Sequence, residues 1–300
     1  MLPLSRARRP VLLIVGCGDI GLRVLRLLQP RWRVLALTSS PHRREALRAA
    51  GAVPLVGNLD DGPTLGRLAA LADAVLHLAP PPSQGDTDPR TRRLLQALAR
   101  SARVQRLVYA STSGVYGDAG GARFDETRAV NPSTDRARRR VDAEARVRHH
   151  GRALGVRTCL LRVPGIYALD REGGDPRERV RRGAPVLAGA DDVHTNHIHA
   201  DDLARACVAA LVRGAPQRIY HVSDSSELKM GDHFDAVADA FGLPRPPRMT
   251  RVEAAGSLSS VQMSFLSESR RLDNLRLTRE LRLHLRYPTP ASAWAEAGGR

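Results

Sequence analysis

A glycine-rich turn is the first feature of this chain whose residue types and spacing could support chemistry. It reads G-C-G-D-I-G and follows the apolar run Val11–Val15. Between a strand and a helix, glycines at this spacing permit a tight bend, close approach of a phosphate and close packing of helix on strand. The start of the helix then offers N–H groups to the phosphates. The pattern predicts a dinucleotide site made by Gly16, Cys17, Gly18, Asp19, Ile20 and Gly21.

The next apolar run ends in a way that bears on cofactor choice. NAD sites usually carry an acidic residue about 20 residues after the glycines, for the ribose hydroxyls. Here the run ends in Thr38 and Ser39, and Arg43 and Arg44 follow. Hydroxyl and guanidinium groups suit a 2′-phosphate, so we expect NADP, with NAD as the alternative. The same arginines could instead belong to the general arginine excess of the chain.

Two further segments follow apolar runs and are expected beside the cofactor. Asn58 and Leu59 come after the third run, where a contact with adenine is expected. Leu78, Ala79 and Pro80 come after the fourth run, beside the cofactor path. In a parallel sheet the ends of these runs meet at one edge, which is where such sheets bind ligands.

Six short apolar runs alternate with helical segments and must position these residues. They are 11–15, 33–37, 52–56, 74–78, 106–110 and 157–162. Apolar runs without polar alternation, separated by helices, are typical of a parallel sheet covered on both faces. We therefore predict an α/β fold with a doubly wound, Rossmann-type parallel sheet and right-handed crossovers.

The second half of the chain is less regular. We predict helices over 201–212, 232–241 and 275–283, a strand over 218–222, and no strong pattern from 293 to 300. The expected organisation is an NAD(P)-binding Rossmann domain over 1–162 and a smaller substrate-binding lid over 163–300. Within the lid, 197–223 is expected to return to the sheet domain.

Composition narrows the class of protein. The 300 residues carry 47 basic and 31 acidic side chains, a net charge of +16. Because Lys229 is the only lysine, the excess is almost all arginine and indicates coding composition rather than a nucleic-acid surface. No apolar run approaches the roughly 20 residues of a membrane span. The first apolar run is too short for an export signal, so a cytoplasmic location is expected.

Two smaller clusters favour structural interpretations. His194, His197 and His199 are spaced H-x-x-H-x-H, which lacks a convincing carboxylate or cysteine partner, so no metal site is expected. The arginines between 136 and 148 lie on more than one face of a predicted helix, among acidic residues, as in a solvated helix. The three cysteines are far apart and form no disulfide framework.

Several motifs resemble a known family in order and spacing. Ser111–Gly117 reads S-T-S-G-V-Y-G, and further matches lie at 125–126, 131–132, 143–144, 161–167, 197–202 and 219–223. They are similar to extended short-chain dehydrogenases/reductases, the NAD-dependent epimerase/dehydratase family. The resemblance implies an oxidoreductase or epimerase/dehydratase that acts by hydride transfer on a sugar-like or small carbonyl substrate. It also implies a possible homodimer through two long helices.

The chain departs from this family at the acid/base pair Y-x-x-x-K, whose places hold Arg136 and Arg140. Arginine stays protonated and cannot donate the proton. The resemblance assigns the catalytic hydroxyl to Thr112 and leaves part of the lysine's work to Arg140. Tyr116 is the first candidate for a surrogate donor and Tyr167 the second. Thr112 could instead only bond nearby backbone, and Tyr116 could only pack.

The missing tyrosine supports a second hypothesis of another class. The chain could be a catalytically silent NAD(P)-binding protein that reports cofactor state to a partner. Oxidation of bound NADPH by a carbonyl compound separates the two hypotheses.

Overall fold

The computed structural model describes residues 8–258 and 260–298. Its strands are β1 Val11–Val15, β2 Arg33–Thr38, β3 Val53–Val56, β4 Ala74–His77, β5 Arg106–Thr112, β6 Arg123–Phe124, β7 Arg157–Val163, β8 Gly165–Tyr167, β9 Val186–Leu187, β10 His197–His199, β11 Arg218–His221, β12 Arg248–Met249 and β13 Arg271–Leu272. Its α-helices are α1 Asp19–Leu28, α2 Arg44–Ala49, α3 Pro89–Leu98, α4 Asp135–Leu154, α5 Pro176–Arg181, α6 Ala200–Arg213, α7 Met230–Ala240, α8 Arg251–Ser257, α9 Ser260–Leu266, α10 Leu275–Arg279 and α11 Pro290–Gly298. Shorter 3₁₀ helices cover Pro41–Arg43, Gly62–Ala70 and Ser113–Tyr116.

Seven strands form one sheet, in the order β11-β7-β5-β4-β1-β2-β3. The pairs β1·β2, β1·β4, β2·β3 and β4·β5 are parallel. The order reverses between β1 and β4, and in open α/β sheets ligands bind beyond the carboxyl ends of strands at such a point. The predicted α/β, doubly wound class is therefore confirmed.

Local sequence explains the elements that lead to this edge. All five residues of β1 are buried, as expected of a central strand covered on both faces. Helix α1 begins directly after Gly18 and ends before Pro30. Helix α3 begins with Pro89, and the carboxylate of its cap, Asp88, accepts a hydrogen bond from the Thr91 N–H group. This cap fixes the first turn of α3 after the loop that follows β4.

Two predictions near the C-terminus were wrong. The helix predicted over 275–283 ends at Arg279, and Arg282 takes a positive φ of 51°, which interrupts helical geometry. Helix α11 lies where no pattern was predicted. Its Trp294 is buried, with its ring 5.3 Å from that of Tyr167 and 5.9 Å from that of Phe241. Tertiary burial of one aromatic side chain therefore accompanies helix formation in an alanine-rich segment.

The described residues fall into two compact units that interleave along the chain. The first contains the described residues up to Ala110, then Asp142–Leu160 and Cys207–Arg218. The second contains Ser111–Val141, Leu161–Ala206 and the described residues from Ile219 onward. The boundary after residue 162, with 197–223 returning to the sheet domain, stays a prediction; Cys207–Arg218, which lies within that returning segment, belongs to the first unit.

No helix within the described ranges is both long and apolar enough to cross a membrane.

Candidate functional site

The three glycines of the turn after β1 have different surroundings. Gly16 has a φ of +86°, and a Cβ there would lie 2.5 Å from the backbone nitrogen of Ala79. A Cβ on Gly21 would lie 3.3 Å from the side chain of Ile14, within the first unit. A Cβ on Gly18 would meet no atom of the described chain within 4 Å. Packing therefore explains the first and third glycines, whereas the second faces open space, as the approach of a pyrophosphate requires.

The first turn of α1 has the geometry of an anion site. No side chain caps Gly18, whose N–H group donates to the carbonyl of Gly16 at 2.9 Å. The first N–H groups of a helix have no partner inside the helix, and the helix dipole makes this end positive. Asp19 could repel a phosphate here, but its carboxylate lies 3.0 Å from Nε of Arg23. The backbone from Gly18 to Ile20 therefore fits a phosphate group.

A cavity of about 330 Å³ lies in the first unit. Its lining residues are Val15, Gly16, Cys17, Leu37, Thr38, Ser39, Ser40, Arg43, Gly57, Asn58, Leu59, Asp60, Ala79, Pro80 and Arg90. Nine of the predicted cofactor residues are among them. The predicted residues that do not line it are Gly18, Asp19, Ile20, Gly21, Arg44 and Leu78. Its volume lies at the lower end of the ~300–1,000 Å³ usual for small-molecule sites.

Arg43 connects the cavity wall to the glycine turn. Its Nη2 donates a hydrogen bond to the carbonyl oxygen of Cys17 at 2.9 Å. Burial raises the pKa of the Cys17 thiol to about 11, so the thiol stays neutral at neutral pH and contributes no negative charge. Arg44, by contrast, is exposed and lies outside the cavity lining. Of the two predicted arginines, only Arg43 is placed to meet a ligand in this cavity.

Polar side chains at the ends of β2 and β3 shape the loops they lie in. The hydroxyl oxygen of Thr38 accepts a hydrogen bond from the N–H group of Ser40 at 3.2 Å. The amide oxygen of Asn58 accepts one from the N–H group of Asp60 at 3.0 Å. Ser39 is exposed at the cavity. These bonds hold the backbone of two cavity walls in place.

Sequence reasoning missed Arg90, a charged residue that lines the cavity. Its guanidinium makes two hydrogen bonds to the carboxylate of Asp60, at 2.8 and 2.6 Å. The hydrogen bonds from Arg90 lower the pKa of that carboxyl. The signal that could have found Arg90 is the helix start Asp88–Pro89, which places the next side chain in the first turn after β4.

The predicted catalytic residues Thr112 and Tyr116 belong to the second unit. Thr112 is half-buried at the end of β5, and its Oγ1 accepts a hydrogen bond from the N–H group of Gly114 at 3.2 Å. Tyr116 is only 1% exposed. Its phenol oxygen lies 2.6 Å from Nε2 of His221 and 2.7 Å from Nη1 of Arg162. Thr112 and Tyr116, the predicted catalytic hydroxyl and surrogate proton donor, therefore already take part in hydrogen bonds within the protein.

The direction of the Tyr116 hydrogen bonds follows from His221. Nδ1 of His221 lies 2.8 Å from the carbonyl oxygen of Asp273, which can only accept, so this nitrogen carries the proton. Burial lowers the pKa of His221 to about 4, so the ring is neutral at neutral pH. Nε2 therefore accepts from the Tyr116 hydroxyl, which itself accepts from Arg162.

The positions of the family's acid/base pair lie on α4. Arg136 is exposed and Arg140 is half-buried. No hydroxyl side chain stands at either position, so neither residue can supply the proton that the family's tyrosine would supply. Arg140 keeps the positive charge that the family's lysine would provide.

His197, one of the three histidines in the H-x-x-H-x-H segment, packs against another histidine ring. The rings of His197 and His233 stack, with centroids 3.9 Å apart and planes 18° apart. Burial lowers the pKa of His197 to about 4 and that of His233 well below its usual value. Among the residues with described positions, no group of three or more histidine, cysteine or carboxylate side chains could hold a metal ion.

Comparison with known proteins identifies related sequences. A model of the NAD dependent epimerase/dehydratase family matches residues 12–223. A dTDP-glucose 4,6-dehydratase of Mycolicibacterium smegmatis is 31% identical over 267 residues, covering 76% of this chain and 80% of that protein. Protein YeeZ of Escherichia coli K12 is 27% identical over 291 residues, covering 92% of this chain and 96% of that protein.

Solved structures with the same fold span nearly the whole chain. A functionally unknown conserved protein from Silicibacter pomeroyi has a TM-score of 0.78 and 30% identity, covering 96% of this chain and 99% of that one. The dTDP-glucose 4,6-dehydratase DesIV from Streptomyces venezuelae, solved with NAD bound, has a TM-score of 0.76 and 21% identity, covering 96% of this chain and 95% of that one. At that identity, the likeness to DesIV concerns the fold alone.

Proposed function

Because the chain belongs to the NAD dependent epimerase/dehydratase family, we propose that it is an NADP-dependent oxidoreductase acting by hydride transfer. The observation that carries the cofactor assignment is Arg43, which lines the cavity and bonds the carbonyl oxygen of Cys17 in the glycine turn. A guanidinium there can bind a ribose phosphate through charge-assisted hydrogen bonds. The end of β2 adds the hydroxyls of Thr38 and Ser39 and no carboxylate, which favours NADP over NAD.

The proposed substrate is a sugar-like or small carbonyl compound. The family name and the name of the Mycolicibacterium relative, a dTDP-glucose 4,6-dehydratase, support a substrate of this class. A cytoplasmic location and a homodimer stay predictions.

A bound nicotinamide would supply the hydride chemistry, and the chain must bind the substrate and handle the proton. Thr112 accepts a hydrogen bond from backbone, so its own O–H group is left to donate to a substrate oxygen. Arg140 provides the fixed positive charge that the family's lysine would provide.

Tyr116 is the proposed proton donor. To donate to a substrate, its hydroxyl must give up the hydrogen bond to Nε2 of His221. The phenolate left behind would be stabilised by Nη1 of Arg162, which lies 2.7 Å from the phenol oxygen. Because Tyr116 is only 1% exposed, this role requires a local opening around the ring.

Two observations favour a second candidate function. An exposed arginine, Arg136, stands where the family has its tyrosine, and the proton of Tyr116 is already held by His221. A protein with these features could bind NADP(H) without turnover and report the redox state of the bound cofactor to a partner.

Two measurements test these proposals in sequence. Quenching or enhancement of NADPH fluorescence measures binding, with NADH as the comparison. Stopped-flow oxidation of bound NADPH across nucleotide sugars with a keto group, small aldehydes and small ketones then measures hydride transfer. Oxidation by any of them supports the oxidoreductase, whereas binding without oxidation supports the silent protein. If neither nucleotide binds, both proposals are wrong.

A further inference from the structure

Asp60 and Arg90 form a bidentate ion pair at the cavity. Asp60 follows β3, and Arg90 lies in the first turn of α3. Nε of Arg90 donates to one carboxylate oxygen at 2.8 Å and Nη2 to the other at 2.6 Å. Parallel bonds of this kind are the strongest arrangement of arginine and carboxylate. Both carboxylate oxygens are therefore engaged by one guanidinium.

The pairing of Asp60 with Arg90 changes the net charge that a ligand in the cavity meets. Of the lining residues within the described chain, only Arg43, Asp60 and Arg90 are charged. Asp60 is thus the sole carboxylate in the lining there. With Arg90 paired to Asp60, the pair is neutral and the charge of Arg43 remains. A carboxylate is the group that accepts hydrogen bonds from the ribose hydroxyls of NAD, and it repels a 2′-phosphate.

We infer that Arg90 is a specificity-determining residue that masks Asp60 and thereby keeps the cavity selective for NADP over NAD. The inference rests on the proposed nucleotide function. Its physical basis is proximity, since a cavity of about 330 Å³ leaves a bound nucleotide group close to every lining charge. The side chains of Asp60 and Arg90 are 45% and 29% exposed, so dissolved salt screens their charges and the effect is measured at low ionic strength.

The start of α3 holds Arg90 in its masking position. The cap formed by Asp88 fixes the first helical turn, because its carboxylate accepts from the N–H and hydroxyl groups of Thr91 at 3.0 and 2.7 Å. Nη1 of Arg90 also lies 3.4 Å from the carbonyl oxygen of Pro80. The guanidinium is therefore oriented by the helix start and by the loop after β4, as well as by Asp60.

The test is the ratio of NADH to NADPH dissociation constants, measured by nucleotide fluorescence for four forms of the full chain. These are the wild type, Arg90→Ala, Asp60→Asn and the double variant. Arg90→Ala unmasks Asp60 and should lower the preference for NADPH by about tenfold or more. Asp60→Asn should keep the preference or increase it. The double variant should return it to within about threefold of the wild type, because no carboxylate is left to unmask.

Matched controls separate masking from general charge and from misfolding. Arg245 and Asp239 form the same bidentate pair, at 2.9 and 2.7 Å, and line no part of this cavity, so Arg245→Ala should not change the ratio. Thermal unfolding checks each variant, and Arg90→Lys, which keeps the charge, should lie between wild type and Arg90→Ala.

Three outcomes would overturn the inference. If Arg90→Ala leaves the ratio unchanged, Asp60 does not influence selectivity. If the double variant stays as weak for NADPH as Arg90→Ala, then Arg90 binds the phosphate directly and masks nothing. If the wild type binds neither nucleotide, the proposed function itself fails, which the other two results do not imply.

Discussion

The phenol oxygen of Tyr116 lies 2.6 Å from Nε2 of His221, a residue 105 positions further along the chain. The two rings meet edge to face, with centroids 5.4 Å apart. Because Nδ1 of His221 is committed to the carbonyl of Asp273, the hydroxyl proton of Tyr116 points to the histidine. The V-Y-G segment is therefore tied internally to β11, and this tie bears on both stability and chemistry.

Replacing Tyr116 with phenylalanine should destabilise the protein. The change removes the donor to Nε2 of His221 and the acceptor for Arg162, both buried. Leaving buried polar atoms without these partners costs about 1–3 kcal/mol. Urea unfolding measures the loss, and nucleotide affinity should stay nearly constant. A variant as stable as the wild type would show that water replaces the hydroxyl.

The same variant tests the proposed donor. If Tyr116 donates the proton, Tyr116→Phe should lower turnover about a hundredfold or more at temperatures where it remains folded. Thr112→Val should act in the same direction. Turnover that survives in Tyr116→Phe would show that the proton comes from elsewhere. In a chain without turnover, Arg136→Tyr together with Arg140→Lys tests whether the remaining site supports hydride transfer.

Gly18 should separate cofactor binding from folding. Because a Cβ at this position meets no described atom within 4 Å, Gly18→Ala and Gly18→Asp should fold normally. Gly18→Asp should abolish NADPH binding, since it fills the phosphate position with a negative side chain. Gly16→Ala is the contrasting variant, because its Cβ would lie 2.5 Å from the nitrogen of Ala79 and should destabilise the fold. Tight NADPH binding by Gly18→Asp would contradict the glycine-turn interpretation.

Arg43 is the proposed ligand of the 2′-phosphate, and its neighbour Arg44 is the control. Arg43 lines the cavity and Arg44 does not. A charge-assisted hydrogen bond contributes about 1.5–3 kcal/mol. Arg43→Ala should therefore weaken NADPH binding roughly tenfold to a hundredfold and leave NADH binding nearly unchanged. Arg44→Ala should change neither dissociation constant, and equal losses for both variants would identify both arginines as general surface charge.

Acid should destabilise the second unit through buried histidines. Burial lowers the pKa of His197 and of His221 to about 4, and that of His233 well below its usual value. In the unfolded chain these side chains titrate near about 6.5. Between pH 6.5 and 4 the unfolded state therefore binds more protons, so the free energy of unfolding falls as the pH drops through this window. Urea unfolding at fixed salt, from pH 7.5 to 4.5, measures the fall.

Asp224 opposes this trend and provides the control. Burial raises its pKa to about 7, against about 3.9 for an unfolded aspartate. Between these values the folded state holds the extra proton, so Asp224 contributes stability that is lost as the pH rises towards 7. Asp224→Asn removes this opposing contribution and should make the loss of stability on acidification steeper. An unchanged slope would show that Asp224 titrates normally.

The sequence contained enough information for the sheet and the glycine turn. Continuous apolar runs predicted the core strands because strands covered on both faces need such runs, and all five residues of β1 are buried as expected. Gly16 and Gly21 have close neighbours that a Cβ would press upon, which local pattern alone suggested. The sequence did not predict the early end of α10 or the presence of α11. Tertiary contacts determine both, and the contact of Trp294 with Tyr167 is one of them.

The charged part of the cavity could be predicted only in part. Arg43 follows β2 closely, so its position near the glycine turn was accessible from chain order. The helix start Asp88–Pro89 places Arg90 in a first helical turn, but Asp60 lies 30 positions away in a chain with 47 basic side chains, so no local pattern predicts that the two residues pair. Likewise, the V-Y-G motif gave the position of Tyr116 but not its partner, because β11 reaches it from the far end of the sequence.

The interleaving of the two compact units has a consequence for folding during synthesis. The chain passes from one unit to the other after residues 110, 141, 160, 206 and 218. Domains usually fold in order as they emerge from the ribosome, the N-terminal one first. Here the first unit lacks its last segment, Cys207–Arg218, until nearly three quarters of the chain has been made. The glycine turn is thus translated early, yet the unit that supports it becomes complete only late in translation.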